Sequence, residues 1–278
     1  MSLFVIALVL GAAVMHASWN AILRGGEDRL WSMTVMCAVS AAAALPFLFL
    51  VPPPAPASWA CIALSSSLQV AYCLFLVRAY RDGGLAQVYP VARGASPLLV
   101  TLGAAIVAGE RPSLVALGGV ALVSLGIAAL AFERGRPHVS TTLLAVIAGV
   151  FIAAYTVTDG MGARLAGRAL SYTVWLFLLQ GSGMVAIYLI RFHRLRIAPR
   201  EAATQKALVG GVLGLLAYGV VIWALTLAPM GQVSALRETS ILFAALIGAV
   251  FLKERVTWPR ASAAAMIAAG AVVLSAAG

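Results

Sequence analysis

One stretch of this chain, GQVSALRETSILFAALIGAVFLKER at residues 231–255, has an echo in LAQVYPVARGASPLLVTLGAAIVAGER at residues 85–111. Gln87 and Val88 align with Gln232 and Val233 at an offset of 145. Arg93, Ser96, Glu110 and Arg111 align with Arg237, Ser240, Glu254 and Arg255 at 144, so the first copy holds one extra residue near Pro90. Each copy is an apolar run of helix length with an arginine about a third of the way in and a Glu-Arg turn at its end. The chain therefore reads as two halves of one design. An arginine at that depth costs about 2.5–3.5 kcal/mol to insert into a bilayer, so each is expected to face a partner or a wet cavity.

The rest of the chain supplies the bilayer. Hydrophobic residues make up 63% and charged residues 10%, a balance outside the range of soluble domains. At about 20 residues per crossing, the 278 residues divide into about ten spans. Apolar runs and turn punctuation place these near 3–23, 31–50, 59–77, 85–108, 112–132, 140–160, 170–190, 207–228, 231–252 and 257–276. The first, lacking a basic region before its apolar run, reads as a retained span rather than a cleaved signal. Cys37, Cys61 and Cys73 all fall inside spans without a CxxC pair, and they indicate neither a disulfide framework nor a metal site.

Five spans per half is an odd number, so homologous halves at 1–132 and 140–278 must enter the membrane in opposite directions. The expected fold is an all-α polytopic membrane protein of ten transmembrane helices, two inverted five-helix repeats around a central cavity. Lys and Arg set the orientation. Fourteen lie in odd-numbered loops, among them Arg24, Arg29, Arg78, Arg81, Arg134 and Arg136, and only Arg111, Arg164 and Arg168 lie in even-numbered ones. The positive-inside rule then puts the odd loops in the cytoplasm and both termini outside. The net charge of +10 fits loops attracted to anionic headgroups, and nothing interleaves aromatic and basic residues as a nucleic-acid site would.

Polar residues inside apolar spans are the candidate site. His16, Trp19 and Asn20 share one face of the first span, and Tyr155, Thr158 and Asp159 repeat that spacing 139 residues later. The stripes line a pathway or act as hydrogen-bonding glue between helices. Pro90 and Gly94 flank Arg93, which favours a break or kink there. Arg237 and Glu238, about 100° apart on a helix, need not pair with each other, and Glu238 is free to meet Arg93 across the halves. Such a pair either locks one conformation or contacts a charged substrate or proton. Gln69, Tyr72, Tyr89, Tyr218 and Trp223 are candidate lining, whereas Trp31, Trp59, Trp175 and Trp258 near span ends suit the interfacial belt. The fifth and tenth spans, poor in polar side chains and rich in small ones, read as scaffold or subunit contact.

The five-plus-five plan, HASWN at 16–20, and the Gly109-Glu110-Arg111 and Lys253-Glu254-Arg255 turns resemble the drug/metabolite transporter superfamily, EamA type. HASWN with YTVTDG at 155–160 resembles a narrower subgroup that includes amino-acid exporters and members associated with phosphonate utilisation. The resemblance implies a basket of ten helices whose cavity is lined by the first, third, fourth, sixth, eighth and ninth spans. It also implies termini in the cytoplasm, opposite to what the charges indicate. The expected protein is a secondary transporter of a bacterial inner membrane, exporting a small metabolite, foremost amino acids, by alternating access. Arg93 or Arg237 would hold a carboxylate, and Glu238 or Asp159 an ammonium or a coupling proton. An organic anion such as a phosphonate is the alternative substrate, and a membrane enzyme acting on a lipid-linked substrate the alternative class. Against an enzyme stand the lack of HExxH, GxSxG or metal-ligand spacing, and no nucleotide loop or cofactor motif is found. Monomer and homodimer are both open.

Overall fold

The computed structural model describes residues 1–24, 28–81, 85–131, 139–251 and 257–277, with backbone alone at 21, 23–24, 78–81, 85–89, 131, 139–141 and 247–251. The described residues form helices and turns with no strand. In order the helices are α1 (Leu3–Arg24), α2 (Arg29–Ala44), α3 (Trp59–Arg81), α4 (Leu85–Val107), α5 (Leu114–Ala131), α6 (Val139–Leu165), α7 (Ala169–Phe192), α8 (Ala202–Leu227), α9 (Met230–Arg237), α10 (Ser240–Phe251) and α11 (Trp258–Ala276). Short 3₁₀ turns at Leu45–Phe49 and Pro56–Ser58 extend α2 and lead into α3. Eight segments are long and apolar enough to cross a membrane, and Leu114–Leu130 is a shorter apolar helix. The surface is correspondingly inverted relative to a soluble protein: Phe4, Phe49, Ile106, Leu114 and Ile190 are exposed while Arg93, Asp159, Arg237 and Glu238 are buried.

The sequence led us to expect a break or kink in the fourth span; α4 is continuous there, and the break lies in the ninth. α4 runs unbroken through Pro90 and Pro97. Pro90, the sixth residue of the helix, withholds the N–H that would otherwise reach the Ala86 carbonyl, at the cost of one bond and without interrupting the helix. Pro97 withholds the N–H that would otherwise reach the Arg93 carbonyl, without interrupting the helix. The ninth span instead divides at Glu238-Thr239. There the backbone tightens to three-residue bonds, Glu238 N to Ala235 O and Thr239 N to Leu236 O, both 3.1 Å, and the Thr239 hydroxyl donates to Leu236 O at 2.7 Å. A Glu-Thr-Ser run has side chains that compete for backbone groups, and that competition replaces proline as the helix breaker.

Helices pair closely where glycines allow. α5 crosses α11 at Gly119, Gly126 and Gly270, where a Cβ on Gly270 would stand 2.8 Å from the Gly119 carbonyl. α8 meets α2 at Gly210 and Gly211, where a Cβ on Gly211 would be 2.6 Å from the Met36 carbonyl. The other principal pairings are α1 with α8, α3 with α6, α2 with α7, α4 with α6, α1 with α10, α3 with α7, and α4 with α5 and α9. The largest apolar core, around Val9, Val100, Val123, Ile127, Leu225 and Ile267, joins α1, α4, α5, α8 and α11.

Candidate functional site

A cavity of about 830 Å³, counting the solvent space at its mouth, opens among α1, α2, α3, α4, α6, α7, α8 and α9. Of the residues expected to line it, His16, Trp19, Asn20, Gln69, Tyr72, Arg93, Tyr155, Tyr218 and Arg237 do so.

The two repeat-related arginines meet on one carboxylate. Arg93 Nε lies 3.0 Å from Glu238 Oε2, and Arg237 donates from a terminal nitrogen to Glu238 Oε1 at 3.3 Å. The Arg93–Glu238 contact was expected. The Arg237–Glu238 contact was not, because the 100° divergence applies within a regular helix and α9 ends at Arg237. All three side chains are almost wholly removed from solvent, at 3%, 2% and 0% exposure, which makes the carboxylate obligatory for both cations.

His16 bridges the triad to the aromatic wall. Its Nδ1 accepts from the Trp19 indole N–H at 3.2 Å, its Nε2 faces a terminal nitrogen of Arg93, and Trp19 stands edge-on to the imidazole at 5.0 Å. The Asn20 amide donates to the His16 carbonyl at 3.0 Å.

Asp159 lies behind the wall rather than on it. Its carboxylate accepts from the Tyr172 hydroxyl at 2.9 Å, the Tyr218 hydroxyl at 2.5 Å and the Gln69 amide at 3.1 Å, and it is fully buried. These hydrogen bonds offset much of the cost of burying the carboxylate. Tyr218 joins this cluster to the cavity, with Tyr155 and Phe177 edge-on to its ring at 5.9 and 6.4 Å.

Three expectations need correction or completion. Trp223 does not line the cavity: it is 39% exposed and packs edge-on against Phe4 at 5.9 Å. Five residues separate it from Tyr218, about 140° around a helix, so the two cannot share a face. The side chain of Tyr89, and the Lys253-Glu254-Arg255 turn, lie outside the described residues. Cys37 and Cys73, read as packing residues, line the apolar end of the cavity together with Met33 and Met36.

A second polar cluster went unrecognised in the sequence. Arg164, counted only as a loop charge, donates to Glu110 Oε1 at 2.7 Å, Leu225 O at 3.0 Å and Ala228 O at 3.2 Å. The other oxygen of Glu110 accepts from the Met230 backbone N–H at 3.0 Å, capping α9. One ion pair thus satisfies the carbonyl end of α8 and the amide start of α9, complementing both helix dipoles. Gly109, at φ 68°, permits the turn that presents Glu110. This cluster joins the ends of α4, α6 and α8, whereas Met33, Met36, Cys37, Gly210 and Gly211 place the cavity toward the opposite ends of α2 and α8.

Comparison with known proteins bears on all of this. A solved crystal structure superposes over 97% of this chain and 94% of its own, with a TM-score of 0.76 and 18% identity, a likeness of fold alone. A curated protein of Streptantibioticus cattleyicolor, named a probable terminal-alkyne amino-acid exporter, is 35% identical over 81 residues. That stretch is 29% of this chain and 27% of the relative, so the match spans about a quarter of the relative's length. The sequence pattern of the EamA-like transporter family matches residues 139–276, from the start of α6 to the end of α11. With that domain as its second half, the chain is a protein of the EamA-like transporter family, in the drug/metabolite transporter superfamily.

Proposed function

We propose that this protein is a secondary transporter that exports a small carboxylate-bearing metabolite across a bacterial inner membrane by alternating access. The observation that carries the reading is the buried triad of Arg93, Glu238 and Arg237 at the cavity wall, assembled from both copies of the sequence repeat. Charges this expensive are retained in membrane interiors where an ion or substrate passes.

The transport cycle follows from two inverted five-helix repeats. Exchanging the halves sends α1 to α6, α2 to α7, α3 to α8, α4 to the α9–α10 pair and α5 to α11. The α1–α8 pairing then becomes α6–α3, α4–α6 becomes α10–α1, and α2–α8 becomes α7–α3, all of which are present. The α2–α7, α4–α9 and α5–α11 pairings map onto themselves. The family match to residues 139–276 alone supports the same division. Rocking of one repeat against the other would open the cavity first to one side and then to the other. On the charge pattern, the side toward the odd-numbered loops is cytoplasmic and both termini lie outside, and reporter fusions at the termini test that orientation.

Amino acids are the foremost substrates on this reading, supported by the name of the curated relative. Organic anions form a second reading, supported by two arginines in a cavity that no carboxylate lines among the described residues. Asp159, linked to the cavity through Tyr218, is the group assigned to a coupling proton. The deciding experiment is flux in liposomes with Arg93→Gln and Arg237→Gln. Undiminished flux in correctly inserted protein would sink the role given to the triad.

A further inference from the structure

We propose that the two repeat-related arginines divide their work: Arg237 binds the substrate carboxylate, and Arg93 is a positioning residue that holds Glu238. The proposal rests on the transport-site reading above, with amino acids as the foremost substrates, and names the residue that recognises them.

The repeat itself is the first argument. At the offset of 144 that aligns Arg93 with Arg237, Glu238 aligns with Gly94. The two repeats therefore supply two arginines and one carboxylate at these positions. Arg93 takes that carboxylate from the opposite half, with its Nε 3.0 Å from Glu238 Oε2. The residue from which Arg237 would receive the equivalent contact is Gly94. No side chain fits there as the helices are packed, because a Cβ would stand 2.9 Å from the Ser124 carbonyl oxygen of α5. The neighbours follow the same exchange: His16 faces Arg93, and its repeat counterpart Tyr155 interacts electrostatically with Arg237.

Hydrogen bonding is the second, independent argument. A guanidinium carries five N–H donors. Among the described residues Arg237 makes one hydrogen bond, a long one of 3.3 Å to the carboxylate of its chain neighbour, and its buried Nε–H meets no acceptor. Arg93 is by contrast engaged with both Glu238 and His16. Arg237 lines the cavity, so a ligand carboxylate, with two acceptor oxygens and no donor, can supply the bonds that its guanidinium lacks.

Charge around Arg237 admits a zwitterion. The charged groups that act on it are Glu238, Arg93 and Asp159, which with Arg237 make two cations and two carboxylates. An amino acid adds one charge of each sign and leaves that balance unchanged. Its ammonium has an acceptor in Tyr218, which lines the cavity, gives its hydroxyl proton to Asp159 and keeps oxygen lone pairs free.

The test compares leucine with leucinamide, which keeps the ammonium and the tail but has no carboxylate, by thermal stabilisation and calorimetry on the detergent-purified full chain. The wild type should prefer leucine. The leucine-to-leucinamide affinity ratio should fall about tenfold or more in Arg237→Lys, which keeps the charge but loses Nε and the planar fork. The thermal midpoint of unliganded Arg237→Lys should stay near that of the wild type. Arg93→Lys should do the opposite, lowering the midpoint through the lost Nε contact to Glu238 and preserving the ratio. A purely structural role for Arg237 would move its midpoint and leave the ratio untouched. Should Arg237→Lys not fold, Arg237→Gln, which leaves the Arg93–Glu238 pair balanced, reads the same ratio. Equal affinity of the wild type for the two ligands, no leucine binding at millimolar concentration, or a ratio that falls as far in Arg93→Lys as in Arg237→Lys would each overturn the proposal. Liposome flux separates it from the broader reading. Leucine flux with an unchanged ratio in Arg237→Lys would leave transport standing and this assignment refuted, whereas the expected ratios without leucine flux would do the reverse.

Discussion

Arg164→Gln tests whether the Glu110–Arg164 cluster is the gate that keeps one end of the bundle shut. The side chains are 34% and 16% exposed, so the ion pair itself contributes at most about 1 kcal/mol. The hydrogen bonds to Leu225 O and Ala228 O, 3.0 and 3.2 Å from a charged donor, contribute about 1.5 kcal/mol each at the low end of the range. Glutamine can recover one such bond, and solvent screening reduces the rest. The net loss is about 2 kcal/mol, all of it from the state closed at that end. The ratio of open to closed molecules should therefore rise about thirtyfold. Spin labels at Ser113→Cys and Arg168→Cys, both exposed on the turns beside the cluster, in a background with the three native cysteines replaced, read that ratio as a distance distribution. Glu110→Gln should move it in the same direction, and the double variant should add little, because the two residues act as one unit. If neither single variant changes the distribution, the cluster is a loop staple and not a gate.

Other outcomes follow from the same geometry. Glu238→Gln leaves two buried guanidinium groups without a counter-charge and should cost about 3–5 kcal/mol, seen as a lowered thermal midpoint that added anions partly restore; an unchanged midpoint would exclude the triad. Gly270→Ala places a methyl 2.7 Å from Val123 Cγ2 and should destabilise by about 1–3 kcal/mol, while Gly118→Ala, which meets nothing within 4 Å, should be neutral. Thiol reagents supplied from the side of the odd-numbered loops should label Cys37, and a bound carboxylate should protect it; labelling indifferent to ligand would remove Cys37 from the path.

Much of the site was legible because intramembrane charge is rare and repetition is informative. Arg93, Arg237 and Glu238 stood out as costly residues at repeat-equivalent or adjacent positions, and the structure joins all three. His16, Trp19 and Asn20 were legible from helical spacing, which is preserved in α1. What escaped depended on contacts between segments or on departures from helical geometry. Asp159 shares the stripe of Tyr155, yet the hydroxyls of Tyr172 and Tyr218 draw it behind the wall. The break at Glu238-Thr239 was obscured because proline at 90 is the louder signal, although α4 runs through it unbroken. Arg164 looked like an ordinary loop charge because its acceptors are backbone carbonyls 61 and 64 residues away, groups that a sequence does not mark.

The α5–α11 seam has a mechanical consequence. If the two halves trade conformations, a contact that maps onto itself sits on the pseudo-twofold axis and travels least during turnover. Its glycine-to-backbone approach at Gly119 and Gly270 leaves no slack for sliding, so in such a cycle the seam would work as a fulcrum and α1, α3, α6 and α8 would be the moving arms. Leu114, Leu125 and Val272 on the outer sides of that pair face away from the core. An antibody fragment, a surface tether or a fusion partner attached at the ends of α5 and α11, beyond the apolar faces, would hold the protein without stopping such a cycle, whereas the same attachment across the ends of α3 and α8 would arrest it.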